Sequence, residues 1–513
     1  MNVLLGIDLG TTGVKAALFA ADDGHVLSSA FIDYPLIHPK PGWAEQDPLV
    51  WWDATVAAIR TCLVGGVRAN VTPEHVRGVG LSGQMHGVVL LDEHQQVLRP
   101  CIIWADQRSE AQCRWITERV GAKRLIELVS NPALPGFSAP KLQWIRDNEP
   151  EIFARAATML LPKDYIRYRL TGKLAMEISD AAGTCLLDVK RGEWSQEVLA
   201  ALELNPTLLP PVIASEKVCG AISEEAAALT DLLPGTSVTG GGADNACGAV
   251  GSGVVRNGLA LVSIGTSGVV LAHADTPRVD MSGPVPRVHT FNHAVPQAWY
   301  LMGVTQGAGL SLRWVRDNIG LPERALERWT GVDAYEVLAK EAESVPAGSD
   351  GLVFLPYLQG ERTPHLDAYA RGGWIGLTAM HDRRHLVRSV LEGVAFSLKD
   401  CFAIIQEQGL PLEQVRATGG GAKSPLWRQI IADVLGVELV TTSASEGPAF
   451  GAALLAGVAS GHYASIQQAC DATVHVVERT EPRPEVERIY AQSYETYRAL
   501  YPALKPIMSK PIV

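Results

Sequence analysis

Ile7-Asp8-Leu9-Gly10-Thr11-Thr12-Gly13-Val14 reads as an apolar run, a Gly/Thr turn and the start of a second apolar run. The flanks, Val3 to Ile7 and Val14 to Phe19, are strand-like, so the stretch predicts a β-hairpin. Residues 262–269, Val262-Ser263-Ile264-Gly265-Thr266-Ser267-Gly268-Val269, repeat it at an offset of 255 residues in a chain of 513. Four positions are identical and three conservative; only Asp8 against Ser263 differs in kind. Self-similarity at half-chain spacing predicts a duplicated α/β domain, divided near Gly251 to Val254 into residues 1–253 and 254–513. Outward from the hairpins, Val26 to Ile32, Val76 to Leu81, Val88 to Leu91 and Cys101 to Trp104 read as further strands. Leu49 to Val64, Ala308 to Asn318 and Arg384 to Gln408 read as helices. Pro448 to Val458 reads as a helix of small residues suited to close packing.

The formal charge is −11, which argues against a nucleic-acid partner. The 47% hydrophobic and 19% charged content is that of a globular chain and excludes a disordered one. The N-terminus carries no signal-peptide pattern, and the apolar stretch Ala449 to Ala459 is too short to span a bilayer. Eight cysteines without a CxxC pair read as reduced, mostly buried thiols of a cytoplasmic protein with no membrane partner.

Three motifs fail on context. Gly78-Val79-Gly80-Leu81-Ser82-Gly83 matches GxGxxG, but the strand-like Gly87 to Leu91 follows where a dinucleotide site needs a helix. Gly421-Ala422-Lys423-Ser424 lacks both glycines that a P-loop requires, Ala417 and Ala422 standing in their places. His381 and His385 have helical spacing, but Asp382, Arg383 and Arg384 make a solvated helix N-terminus a better reading than a zinc site.

Others survive. Two Gly-Thr turns can each present backbone N–H groups and hydroxyls to an anion, and two copies could clamp one polyphosphate. Asp8 beside such a turn repels phosphate unless a cation intervenes, which suggests Mg²⁺. Its plain alternative is a turn-forming Asp. Gly240-Gly241-Gly242-Ala243-Asp244-Asn245 lets the backbone approach a ligand and sets an Asp where it can take a hydroxyl proton; its plain alternative is a glycine turn with an Asx cap. His86, in Gly83-Gln84-Met85-His86-Gly87, sits where a neutral imidazole can bond a sugar hydroxyl. Trp104, Asp106 and Arg108 offer an aromatic face with two charges, or else a surface ion pair of little energetic weight.

Taken together, these stretches resemble the FGGY carbohydrate kinases. Asp8 to Gly13 is similar to the first phosphate loop of the actin/hexokinase-type fold, Gly136 to Trp144 to one FGGY signature, and Gly372 to Leu377 with His385, Leu386 and Val390 to Glu392 to the other. Within the family, Gly83 to Gly87, Leu161-Pro162-Lys163-Asp164-Tyr165, Trp43 to Pro48 and Ser179 to Thr184 most resemble the members that phosphorylate xylulose. The resemblance implies an α/β, two-lobed, duplicated actin/hexokinase-like (ribonuclease H-like) ATPase fold with a central cleft. It implies ATP and Mg²⁺ as cofactors, with a sugar substrate. Asp244 would be the catalytic base and Asp8 the metal-linked carboxylate. Met85, His86, Asn245, Trp104, Asp106 and Arg108 would hold substrate together with Asp244. Gly10, Thr11 and Thr12, then Gly265, Thr266 and Ser267, then Gly419, Gly420, Gly421, Ala422 and Ser424 would hold ATP. Ala105 departs from the family's usual Asn. Relatives phosphorylate ribulose, gluconate, rhamnulose, fuculose or glycerol, so these substrates stay open. So do a non-sugar ATPase of the same fold and a homodimer.

Overall fold

The Gly10–Gly13 turn closes a hairpin between β1 (Val3–Leu9) and β2 (Gly13–Ala20), and β3 (Val26–Asp33) pairs antiparallel with β2. In this computed structural model, which describes residues 1–444 and 446–508, β4 (Val76–Gly83) lies parallel to β1 on its other side. Ser445 and 509–513, the end of the expected second half, lie outside the described residues. β5 (Val218–Ala221) and β6 (Ser237–Thr239) complete the row, and the two-residue β7 (Gly242–Ala243) pairs with β4. The spatial order is β5-β6-β4-β1-β2-β3.

The second sheet repeats this plan. β8 (Gly258–Ile264) and β9 (Gly268–Ala274) form the second hairpin, β10 (His289–Asn292) and β11 (Trp299–Thr305) extend it, and β12 (Leu412–Thr418) runs parallel to β8. β13 (Glu438–Thr442) and β14 (Val476–Thr480) finish the order β10-β11-β9-β8-β12-β13-β14. In each sheet the hairpin's first strand has its antiparallel partner on one side and a parallel strand on the other.

The helices carry the connections. α1 (Pro48–Gly66) starts with Pro48 in its first turn and Asp47 capping the Leu49 N–H at 2.9 Å. α2 (Ser138–Asn148), α3 (Pro162–Thr171) and α4 (Asp244–Gly251) follow in the first half. α5 (Gly309–Asn318), α6 (Arg383–Glu407), α7 (Pro425–Leu435), α8 (Gly447–Ala459) and α9 (Pro484–Met508) follow in the second. The strand expected over Cys101 to Trp104 ends at Ile102, where the chain turns to bury Asp106. His385 is a helix N-terminal residue as expected, but it is buried rather than solvated: Asp382 and Asp350 both bond its ring. All eight cysteines are free and buried. No helix among the described residues is long and apolar enough to cross a membrane.

α8 belongs to the second half by sequence yet packs on the first sheet. A Cβ at Gly80 would stand 1.8 Å from the Ala452 carbonyl oxygen, and one at Gly6 1.9 Å from that of Ala449. On its other side α8 meets α4, where a Cβ at Gly451 would stand 1.9 Å from the Cys247 carbonyl oxygen. The GxGxxG stretch on β4 is thereby explained: Gly80 makes room for a helix, and no dinucleotide turn follows. Lys15 on β2 reaches Glu446 at the head of α8, at 2.8 Å, and ties the first hairpin to that helix. Gly451→Val is expected to destabilise the protein at or above the upper end of the about 1–3 kcal/mol typical of overpacking. Gly248→Ala, whose new Cβ would meet only Pro448 at 3.8 Å, is expected to be neutral or stabilising. Chemical denaturation of the two variants compares them directly.

Candidate active site

Both Gly-Thr turns have their carbonyl groups tied back from behind. In the first, Tyr34 donates its hydroxyl to Gly10 O and its N–H to Thr12 O, while Gln46 Nε2 donates to Thr11 O at 2.7 Å. In the second, the N-terminus of α5 does this work: Gly309 N–H donates to Gly265 O at 2.8 Å and Leu310 N–H to Thr266 O at 3.0 Å. Among the described residues nothing accepts from the amides of Thr11, Thr12, Thr266 or Ser267. Turns whose oxygens are occupied and whose N–H groups are open are anion-binding concavities.

Asp8 and Asp244 stand at the C-terminal ends of parallel strands, where open α/β sheets bind ligands. Asp8 pairs in register with Ser82 on β4, and Ser82 with Gly242 on β7, two residues before Asp244. Asp8 Oδ1 is buried and has no hydrogen-bond partner among the described residues. Burial raises its carboxyl, and its cross-strand neighbours partly oppose this, the Ser82 hydroxyl first and the Lys15 charge second. Asp244 opens α4. Its Oδ1 accepts from the Asn245 backbone at 2.7 Å and from Asn245 Nδ2 at 2.9 Å, leaving Oδ2 without a partner among the described residues. Burial first and the nearby Asp8 charge second push its carboxyl up to about 7. One oxygen is thus anchored while the other can accept a proton near neutral pH.

Met85 and His86 line the adjoining wall. Met85 Sδ lies 3.9 Å from both Asn245 Nδ2 and the Tyr300 hydroxyl. His86 takes a left-handed backbone (φ 70°), which throws its ring away from β4. Its Nδ1 meets Gly183 O at 2.7 Å, so Nδ1 carries the proton and Nε2 presents a bare lone pair. Burial holds the imidazole neutral, down at about 3. A Cβ at Gly183 would come 2.6 Å from that Nδ1, so only glycine fits there.

Trp104, Asp106 and Arg108 behave differently. Trp104 donates its indole N–H to Thr11 Oγ1 at 2.9 Å, joining the first turn. Asp106 is fully buried and bonded to Ala44 N–H at 2.6 Å and to the Arg108 guanidinium at 2.8 Å. Arg108 also reaches Glu45 at 2.6 Å, with its guanidinium 3.7 Å from the Trp43 ring centre. Both side chains are shielded from solvent. Their polar atoms are spent holding segment 44–46, which carries the Gln46 that braces the first turn. Sequence reasoning also missed Tyr34, Tyr300 and Gly183 as site residues.

A single cavity of ≈ 740 Å³ opens beside the second turn. Gly265, Thr266, Gly420, Gly421 and Ser424 line it, joined by Tyr335. Gly419 (φ 84°) and Gly421 let the loop fold onto Ile264, the residue preceding that turn. Ala422 is buried behind the loop and accepts, through its carbonyl, from Arg428 at 2.7 Å. The size suits a nucleoside.

The family model for the N-terminal domain of FGGY carbohydrate kinases matches residues 3–251, and that for the C-terminal domain matches residues 260–460. A xylulose kinase of Bacillus subtilis (strain 168) is 38% identical over 507 residues, covering 99% of this chain and 98% of that one. A gluconokinase of the same organism is 32% identical, covering 98% and 94%. The crystal structure of xylulose kinase from Rhodospirillum rubrum superposes with a TM-score of 0.89 at 31% identity, covering 99% and 100%. A carboxyl that ionises near 3.8 when unfolded but near 7 when folded costs stability as pH rises through that interval. Asp244→Asn is therefore expected to raise the melting temperature relative to the unaltered protein at pH 8, and to lose that advantage below about pH 4.

Proposed function

The chain belongs to the FGGY family of carbohydrate kinases, and from that premise we propose that it transfers the γ-phosphoryl group of ATP to the 5-hydroxyl of D-xylulose. The observation that carries this reading is Asp244, with its open Oδ2 and a carboxyl raised to about 7, set beside a turn of free amides. The substrate assignment is supported by the full-length likeness to xylulose kinases.

In this reading ATP lies in the cavity of the second half, its base and ribose near Tyr335 and Gly420, its phosphates between the two Gly-Thr turns. The amides of Thr11, Thr12, Thr266 and Ser267 meet phosphate charge. Sugar hydroxyls bond His86 Nε2 and Asn245, and the Met85 thioether packs on the carbon chain. Asp244 Oδ2 accepts the proton of the attacking hydroxyl as transfer proceeds in line. The residues also fit Mg²⁺: Asp8 offers a buried, unpartnered oxygen, and one carboxylate plus phosphate oxygens is a usual Mg²⁺ setting. When bound, Mg²⁺ neutralises charge on the phosphates. Residues 1–253 would form the sugar lobe and 254–513 the nucleotide lobe of a cytoplasmic enzyme. Closure of the lobes would exclude water.

The gluconokinase likeness keeps a sugar acid as the second reading. A coupled ADP-release assay across pentuloses, hexuloses, gluconate and glycerol separates them: the highest kcat/KM is expected with D-xylulose, and a preference for gluconate would overturn the substrate assignment. Asp244→Ala is expected to lower kcat by at least about 10²-fold while ATP binding persists. In the unaltered enzyme kcat/KM should rise with pH through an apparent pKa near 7. Asp8→Asn is expected to raise the Mg²⁺ concentration giving half-maximal rate, and an unchanged Mg²⁺ titration would remove Asp8 from that role.

A further inference from the structure

Arg362 is a half-buried cation with no carboxylate against its guanidinium among the described residues. Its own N–H donates to Glu361 Oε1 at 2.7 Å, but among the described residues nothing accepts from its guanidinium. Glu361 turns its oxygens elsewhere, to Thr305 Oγ1 at 2.7 Å and the Gln306 N–H at 2.9 Å. Burial is the one influence on Arg362, pulling it down to about 10, so it stays charged at neutral pH. Its five donors meet no acceptor among the described residues, so they are open to a ligand oxygen.

The missing acceptor has a place to sit. Arg362 and His289 share a cavity of ≈ 390 Å³. Arg287 lines it too, but is paired with Asp280 at 2.8 Å and Glu407 at 2.7 Å. His289 Nδ1 lies 2.8 Å from Asn131 Oδ1, and Asn131 Nδ2 donates to Thr290 O at 2.7 Å, which fixes the amide's orientation. His289 therefore donates from Nδ1 and shows a bare Nε2. This cavity adjoins the His86 wall. The Phe137 ring lies 4.6 Å from that of His86 and 5.7 Å from that of His289, and Phe291 stacks on His289 at 5.6 Å. The Arg362 charge is close enough to both imidazoles to help keep them neutral.

The site thus has two ends: at one a carboxylate able to take a proton, at the other a fork of unpaired donors beside ring nitrogens that accept. We propose that Arg362 is a specificity-determining residue that donates to the carbonyl oxygen of an open-chain ketose, selecting the ketose over the polyol of the same length. This rests on the reading of the chain as a ketose kinase. His86 and His289 accept from hydroxyls, which both molecules have. Only the ketose offers an sp² oxygen that is purely an acceptor, with in-plane lone pairs that match the fork, whereas a pentitol hydroxyl there must also place its own proton, for which Arg362 offers no acceptor.

The test measures KM for D-xylulose and the inhibition constant of the matching pentitol, with the unaltered enzyme and with Arg362→Met and Arg362→Lys. For Arg362→Met, KM for D-xylulose should rise about ten- to a hundredfold, the span expected when one hydrogen bond to a charged group is lost. The pentitol constant and KM for ATP should stay within about twofold. Arg362→Lys keeps the charge but not the fork, and should fall between. A parallel rise for ketose and pentitol, or no rise in either, overturns the assignment. Should Arg362→Met fail to bind ATP, Arg362→Lys decides by the same ratio. Failure of the unaltered enzyme to phosphorylate any ketose overturns the substrate reading and this assignment with it. Turnover of D-xylulose with an unchanged ratio overturns this assignment alone.

Discussion

The rest of the molecule depends on how closely α8 can lie on the first sheet. Backbone meets backbone there, with a Cβ excluded at Gly6 and Gly80, and again between α8 and α4, with a Cβ excluded at Gly251 and Gly451. Through these contacts a helix contributed by the second half becomes part of the packing of the first, and it also supports α4, the helix that begins at Asp244. The proton-accepting carboxylate is consequently fixed by the same layer that joins the halves. Glycine gives up side-chain burial and backbone entropy at each position, and what it gains is approach distance. A larger residue would move α8 away from β1 and β4, and with it the register between Asp8 and Asp244.

The two hairpins reach the same local chemistry by different means. Each turn must hold its carbonyl groups back so that its amides face outward. The first turn uses Tyr34 and Gln46, and Gln46 is itself braced by Gln84 at 2.8 Å. The second uses the N-terminus of α5, whose free N–H groups would otherwise lack partners. The duplication therefore preserved the strand plan and the open amides but not the side chains behind them. The Asp8 to Ser263 difference fits this division: the carboxylate lies in the half that also holds Asp244, and the second turn is left uncharged beside the large cavity.

Local patterns were readable in the sequence, and long-range ones were not. The hairpins, α1, α5, α6 and α8 follow from alternation, helical spacing and turn residues within a few positions, and their bounds came within a residue or two. Asp106 and Arg108 could be read as a surface pair because nothing adjacent shows that Trp43, Glu45 and Trp144 close over them. His385 looked solvated because its partner Asp350 is 35 residues away. Tyr300 and Arg362 carry no local signal; only in the folded chain does Tyr300 meet Met85 and Arg362 share a cavity with His289. Gly183 lay inside a recognised stretch, Ser179 to Thr184, but its role is visible only once the His86 ring is seen against it.

By sign alone the overall charge of −11 would oppose binding a polyphosphate. It does not, because the interaction is settled within a few ångströms. At physiological ionic strength charges beyond about 8 Å are largely screened when exposed. Amides aimed inward from two turns act inside that distance and need no side-chain cation. The same short range explains why the carboxylates at the strand ends are useful rather than prohibitive. Asp8 raises Asp244 because both are shielded from water, which is the condition for one carboxylate to tune another. Neutralising Asp8 would remove that influence and lower Asp244 again. The pair is therefore sensitive to whatever positive charge arrives beside Asp8, and the acidity of the protein as a whole has no part in it.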